Sequence, residues 1–147
     1  VDEDALDAFE AAFRENVPVG WDRFRTAYVP NGHACLGKSR CNGGNWNEQP
    51  LSSDCEVQQV MSSGKVRTIT TYSSGNVALL TPLHDSLYTC LKRRSWLLVG
   101  SPTSEKVRHL STKTTGSDWL SFDYESATDN IKIAYVQRCV SVLKERA

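Results

Sequence analysis

The chain has 147 residues, of which 39% are hydrophobic and 23% charged, the usage of one globular domain or of a piece of a larger protein. No apolar run is long enough to cross a membrane, so no membrane segment is expected. The formal net charge is zero, but residues 64–114 hold eight lysines and arginines against Asp85 and Glu105. This basic middle fits a polyanionic partner, with a solvated basic face as the alternative.

The chain begins at Val1 without a methionine and ends inside an apparent helix, so we expect a piece of a longer protein. Five cysteines without a tight pairing rhythm predict reduced thiols in a cytosolic compartment. A zinc site remains a minor alternative because the usual Cys-x2-Cys pair is missing. Its donors would be His33, Cys35, Cys41 and Cys55.

The first predicted element is an amphipathic helix over residues 2–15, because Leu6, Phe9 and Phe13 recur on one face. Acidic residues at its start complement the positive end of the helix dipole. We expect this helix to pack against the rest of the chain rather than to carry chemistry.

Residues 30–54 are predicted to form a glycine-rich loop in which Trp46 is the one large apolar anchor. Lys38 and Arg40 lie there beside a serine hydroxyl and before two glycines, an arrangement that could cradle phosphates. Lys38 and Arg40 are therefore candidate RNA contacts, with a plain surface loop as the alternative interpretation.

A strand is predicted over residues 64–72 from their β-branched and aromatic content. Strand alternation places Lys65 and Arg67 on one face, about 7 Å apart. Two cations so aligned can grip a triphosphate, Arg by forked hydrogen bonds and Lys as a point charge. The alternative is an ordinary exposed strand face.

A turn at residues 73–76 is expected to precede a helix that begins with Thr81 as its cap and Pro82 as its first residue. Residues 96–99 are predicted to be a short buried run. A further short helix is predicted over residues 104–110.

That short helix would present Lys106 and Arg108 to solvent or to nucleic acid. Both residues belong to the basic middle of the chain. They are therefore candidate RNA contacts.

The last stretch is predicted to be a strand, a short loop and a helix. After a turn at residues 116–118, residues 119–122 are of the types that fill a buried strand, so Asp123 emerges where the strand leaves the core. A helix follows, with Thr128 or Asp129 as its cap. One carboxylate therefore lies on each side of the loop.

A carboxylate at a strand end suits Mg²⁺, a hard cation usually held by one or two carboxylates plus substrate phosphates. Two such ions can clamp the attacking and leaving oxygens of a phosphoryl displacement. The alternative is that Asp123 is a solvated turn residue and Asp129 an ordinary helix cap.

Two of these stretches resemble a known family, the viral RNA-dependent RNA polymerases. Residues 64–69, Gly-Lys-Val-Arg-Thr-Ile, are similar to the basic fingers motif F, and residues 123–129, Asp-Tyr-Glu-Ser-Ala-Thr-Asp, to motif A. The order and spacing agree as well. The Ser-Ala-Thr-Asp stretch, Ser39-Arg40 before Gly43-Gly44 and the leucine-bearing helix after Pro82 most resemble the ourmiavirus-like and narnavirus-like (botourmiavirus) group.

The resemblance implies an α+β fold, a partial right-hand polymerase with fingers over residues 1–115 and the first strand and helix of the palm over 116–147. It implies that Asp123 binds the catalytic Mg²⁺ (or Mn²⁺) and that Asp129 helps to recognise the ribose 2′-hydroxyl. Lys65 and Arg67 would contact the phosphates of the incoming nucleotide. In that family motifs B, C and D follow motif A. This chain ends before them, so the fragment alone is expected to be inactive.

The implied partners are an RNA template and product, nucleoside triphosphates and the remainder of the polymerase chain, in the host cytoplasm. A second hypothesis is a non-catalytic module that holds single-stranded RNA by charge and by stacking on aromatic side chains. A Gly-Asp-Asp sequence soon after Ala147 in the parent reading frame would favour the polymerase, because it would complete the metal-binding carboxylates.

Overall fold

The computed structural model describes residues 1–111 and 120–147, and there the fold is α+β, as predicted. Helices α1 and α2 span Glu3–Asn16 and Ser74–Leu91, and α3 and α4 span Ser104–Ser111 and Ile133–Glu145. Strands β1 (Cys55–Ser62) and β2 (Lys65–Tyr72) form an antiparallel two-stranded sheet. None of the helices in these described ranges is long and apolar enough to cross a bilayer.

The chain divides into two compact units. One comprises Arg25–Ser86, and the other comprises Val1–Phe24 together with Leu87–Ala147. The predicted boundary between fingers and palm at residues 115 and 116 lies outside the described residues, as do the predicted turn at 116–118 and Trp119. That division stays a prediction.

The Arg25–Ser86 unit contains the β1–β2 hairpin. Strand β2 confirms the predicted strand, whereas β1 was not predicted. The two strands are joined by Ser63 and Gly64, both with positive φ (52° and 74°), as the two central residues of a type I′ hairpin turn require. The Ser-Gly pair between two β-rich runs was the signal that would have revealed β1.

Helix α2 begins at Ser74, eight residues before the predicted first residue, Pro82. The Ser73 hydroxyl accepts a hydrogen bond from the Asn76 N–H (3.2 Å) and so satisfies a free donor of the first turn, the role that had been assigned to Thr81. Pro82 therefore lies inside the helix and not at its start. The Thr81 hydroxyl instead bonds back to the Val77 carbonyl (2.7 Å) one turn earlier.

In the other unit, α1 confirms the predicted helix and packs against α4. Leu6 of α1 and Val142 of α4 are buried. The Phe9 ring meets the Tyr135 ring edge-on, with centroids 4.9 Å apart. The Asp2 carboxylate accepts from the Ala5 N–H (3.2 Å) and so caps α1.

Ion pairs along one side join the same two helices. The Glu10 carboxylate lies 2.7 Å from the Arg14 guanidinium and 2.6 Å from that of Arg138. Arg14 also reaches Glu145, at 2.9 Å. These hydrogen bonds, first from Arg14 and then from Arg138, lower the pKa of Glu10, and the bonds from Arg14 lower that of Glu145.

The predicted short helix after residue 103 is confirmed as α3. The predicted buried run at residues 96–99 is wrong, because Trp96 is 66% exposed and Leu98 43% exposed. Trp46 is also mainly exposed, so it is not the anchor of its loop. An apolar side chain is buried only where another element lies against it, and its type alone cannot supply that element.

Candidate functional site

Lys65 and Arg67 share one exposed face of the hairpin. Lys65 pairs across the sheet with Ser62, and Arg67 with Val60. The strand rise separates the two cations by about 7 Å, as predicted. Among the described residues, neither makes an ion pair, so nothing there neutralises the pair.

Ile69 continues this face toward the far end of β2 and is 39% exposed. Its cross-strand partner is Gln58. The face therefore offers two cations next to an apolar side chain, a surface suited to a phosphate-bearing ligand with an apolar part.

Lys38 and Arg40 lie on a loop, residues 31–49, that is ordered around Asn45 and which we name the Asn45 loop. The buried Asn45 amide oxygen accepts from the N–H groups of Asn31 (3.0 Å) and Gly32 (2.7 Å). Its amide nitrogen donates to the Asn31 side chain at 2.9 Å. Both cations are exposed on this fixed loop, and no sequence motif singled out Asn45 as its centre.

The Asn45 loop is attached to the far end of the hairpin from Lys65. The Leu36 N–H donates to the Tyr72 carbonyl (2.8 Å), and the Gly37 N–H to the Glu56 carboxylate (3.2 Å). Tyr72 is seven residues from Lys65, about 24 Å at the rise of an antiparallel strand. The loop cations and the hairpin cations therefore do not form one cluster.

The strand predicted to end at Asp123 is absent from the described part of that segment. Residues 120–124 have no regular secondary structure, and Leu120 and Phe122 are 85% and 68% exposed. The physical reason is that a strand needs a neighbouring strand, and the sheet of the described residues contains only β1 and β2. Asp123 is thus a solvent-exposed carboxylate next to two aromatic residues, Phe122 and Tyr124, whose rings pack edge-on with centroids 5.4 Å apart.

Asp129 is not a helix cap. It lies in consecutive turns over residues 125–130, where the Asn130 N–H donates to the Ser126 carbonyl at 3.0 Å. Helix α4 begins only at Ile133, after Lys132. Ser126 has a positive φ of 49°, so the backbone reverses there instead of entering a helix. The prediction that Thr128 or Asp129 opens the helix is therefore wrong.

Lys106 and Arg108 lie on α3 and are exposed. The Lys106 ammonium donates to the Val99 carbonyl (2.9 Å) and so attaches the preceding segment to the helix. Both residues keep the surface position expected of RNA contacts.

All five cysteines are free thiols. Burial raises the pKa of the Cys35 thiol and that of Cys139, so both favour the protonated form that is a poor metal ligand. Across residues 1–111 and 120–147, no three His, Cys, Asp or Glu side chains lie together as a metal site would require. The described residues therefore bring no two further donors of these types to Asp123.

The two residues predicted to grip a triphosphate, Lys65 and Arg67, lie side by side on β2. Lys65 and Arg67 belong to the Arg25–Ser86 unit, whereas Asp123 and Asp129 belong to the other unit.

Comparison with known proteins yields no match to a family model, to a curated protein or to a solved structure.

Proposed function

We propose that the chain is a fragment of an RNA-directed RNA polymerase of a virus, which transfers nucleotides from nucleoside triphosphates to RNA in the order set by a template. The observation that carries this proposal is the exposed face of β2, where Lys65 and Arg67 lie in register inside the stretch that resembles motif F. The stretch that resembles motif A follows at the spacing of that family.

In this proposal the hairpin face holds the triphosphate of the incoming nucleotide. Arg67 forms forked, charge-assisted hydrogen bonds to phosphate oxygens, and Lys65 adds a compact positive charge. The apolar Ile69 beyond them limits the cationic surface to the length of a few phosphate groups. Asp129, an exposed carboxylate, would accept a hydrogen bond from the ribose 2′-hydroxyl.

Asp123 would supply one carboxylate to Mg²⁺ or Mn²⁺, and the ion when bound stabilises negative charge on the reacting phosphoryl group. The donor set among the described residues is incomplete, since no group of three His, Cys, Asp or Glu side chains that includes Asp123 forms there. The residues that complete it would come from elsewhere in the parent protein. The fragment alone is accordingly expected to be inert.

The test is single-nucleotide incorporation by the complete parent protein. Asp123→Ala should abolish incorporation and leave template binding nearly intact, since loss of a metal ligand removes several kcal/mol of transition-state stabilisation. Asp123→Asn should be almost as damaging, because the neutral amide is a poor ligand for Mg²⁺. Near-normal incorporation by Asp123→Ala would refute the polymerase proposal.

The same assay separates the other roles. Lys65→Ala and Arg67→Ala should raise the apparent KM for nucleotides more than they weaken RNA binding. Asp129→Ala should keep some activity and narrow the preference for ribonucleotides, because a site built to bond a hydroxyl rejects the analogue that lacks it. Loss of RNA affinity with an unchanged nucleotide KM in the Lys65 and Arg67 variants would instead place these two residues in the template channel.

A further inference from the structure

A basic cleft of about 1050 Å³ lies on the unit that contains α3. Its walls are the end of α2, the segment over residues 92–103 and α3, and we name it the α2–α3 cleft. The charged and aromatic residues that line it are Tyr88, Lys92, Arg94, Glu105, Lys106, Arg108 and His109. Of these residues, only Lys106 and Arg108 were predicted from the sequence to contact RNA.

Hydrogen bonds hold the walls of the cleft in place. The Lys106 ammonium and its backbone N–H bond Val99 (2.9 Å) and Thr103 (3.3 Å), which attaches the connecting segment to α3. The Arg94 guanidinium donates to the Asn16 carbonyl (2.6 Å) and so attaches the segment that follows α2 to the end of α1. The cleft is therefore a built feature of the unit.

The charge of the lining is strongly positive. Four lysine and arginine side chains line the cleft against the single carboxylate of Glu105. On α3, Arg108 and His109 follow Glu105 by three and four residues, so both lie on the same side of the helix as Glu105. Cations from α3 and from the segment that follows α2 therefore line one concave surface, which focuses the field on a bound polyanion.

The lining is also aromatic and apolar. Tyr88 is 40% exposed, and the Lys92 ammonium lies 4.7 Å from its ring centroid. Leu97, Leu98 and Val99 line the same cleft. A concave surface with cations for phosphates and a ring for bases is the combination by which proteins bind single strands without sequence preference.

We infer that the α2–α3 cleft binds single-stranded RNA, with Lys92 and Arg108 on the phosphates and Tyr88 against a base. The choice of RNA over another polyanion rests on the proposed function. The cleft uses residues separate from Lys65, Arg67, Asp123 and Asp129, so it adds a strand-holding surface to those that act on the nucleotide.

The first test removes charge from the cleft. The affinity of the 147-residue chain for a fluorescently labelled single-stranded oligouridine is measured over a range of salt concentrations. The double variant Lys92→Ala/Arg108→Ala should reduce the salt slope by about 1.4, because each lost phosphate contact contributes about 0.7 for single strands. At roughly 0.1 M salt this corresponds to an approximately 25-fold loss of affinity.

The matched control is Lys132→Ala/Lys144→Ala, which removes the same charge from exposed positions outside the cleft. It should leave the slope nearly unchanged, and circular dichroism should show that both double variants are folded. Equal losses in the two double variants would overturn the inference, since net charge rather than the cleft would then govern binding.

The second test separates RNA from a simple polyanion. Tyr88→Leu should weaken oligouridine binding by about fivefold or more through lost stacking, and Tyr88→Phe should restore it. Binding of inorganic polyphosphate should be the same in all three proteins. If Tyr88→Leu weakened polyphosphate and RNA equally, or weakened neither, the cleft would not be a stacking site for RNA and the inference would fail.

The two proposals fail in different experiments. If cleft variants keep full RNA affinity while Asp123→Ala abolishes incorporation by the parent protein, the cleft inference is refuted and the polymerase proposal stands. If the cleft variants lose RNA affinity while Asp123→Ala keeps incorporation, the polymerase proposal is refuted and the cleft remains an RNA site.

Discussion

Gly44 is expected to be the least replaceable position of the Asn45 loop, which carries two of the candidate RNA contacts. A Cβ added to Gly44 would overlap the backbone carbonyl oxygens of Gly32 and His33. Gly37 on the same loop provides the matched comparison, since no atom lies within 4 Å of the Cβ that it would acquire. Both glycines have positive φ, 47° and 65°, so the two positions differ mainly in space.

The difference in stability follows from these contacts. Alanine in the left-handed region costs about 1 kcal/mol at either position. At Gly44 the backbone at residues 32–33 must also move, which disrupts the hydrogen bonds from the Asn45 N–H to the His33 carbonyl (2.8 Å) and from the Gly32 N–H to the Asn45 side chain (2.7 Å). Each buried group left unsatisfied costs about 1–2 kcal/mol, so Gly44→Ala should cost about 3–5 kcal/mol in total.

Urea unfolding followed by circular dichroism measures both free energies. We expect Gly37→Ala to lower the free energy of unfolding by about 1 kcal/mol and Gly44→Ala to lower it by about three times as much or more. Equal losses for the two variants would refute the account, because backbone conformation would then explain both and the close approach of the carbonyls would have no effect.

Two further predictions concern the packing of α1 against α4. Val142→Ala should lower the free energy of unfolding by about 2 kcal/mol, from two lost buried methyl groups and the cavity they leave, and a thermal scan should show a midpoint lower by about 4–8 °C. Val140→Ala on the same helix, where the valine is 47% exposed, should cost less than half as much. Glu10→Gln should destabilise the protein at pH 7, whereas Glu15→Gln should not. Because the pKa of Glu10 is lowered from its ordinary 4.5, its stabilisation is present above that pH and is lost as the pH falls further, so urea midpoints of Glu10→Gln and the unmodified protein should converge at acidic pH.

Elements whose signals are local were predictable from the sequence. Helix α1 follows from Leu6, Phe9 and Phe13 at helical spacing and from Asp2 at its cap, because these residues interact within one or two turns. Strand β2 follows from its β-branched content, and its alternation alone places Lys65 and Arg67 on one face. The side-by-side arrangement of these two cations therefore needed no tertiary information.

The ends of helices depended on competition between neighbouring signals. Thr81 and Pro82 are good start residues, yet Ser73 caps α2 earlier, because a proline can be accommodated inside a helix when the surrounding contacts compensate for the lost hydrogen bond. In the same way Asp129 has the chemistry of a cap, but the reversal at Ser126 places it in turns before α4. In each case the residue types alone were compatible with two different helix starts.

What only the tertiary structure decided is which apolar and polar groups acquire neighbours. Leu120 and Phe122 have the composition of a buried strand but lie in solvent, since no described strand pairs with them. Asn45 is a polar residue in a loop, yet it is buried because Asn31 and Gly32 bring their N–H groups to it. Burial and hydrogen bonding between residues distant in sequence depend on where the chain returns in space, and sequence periodicity reports only the few residues on either side.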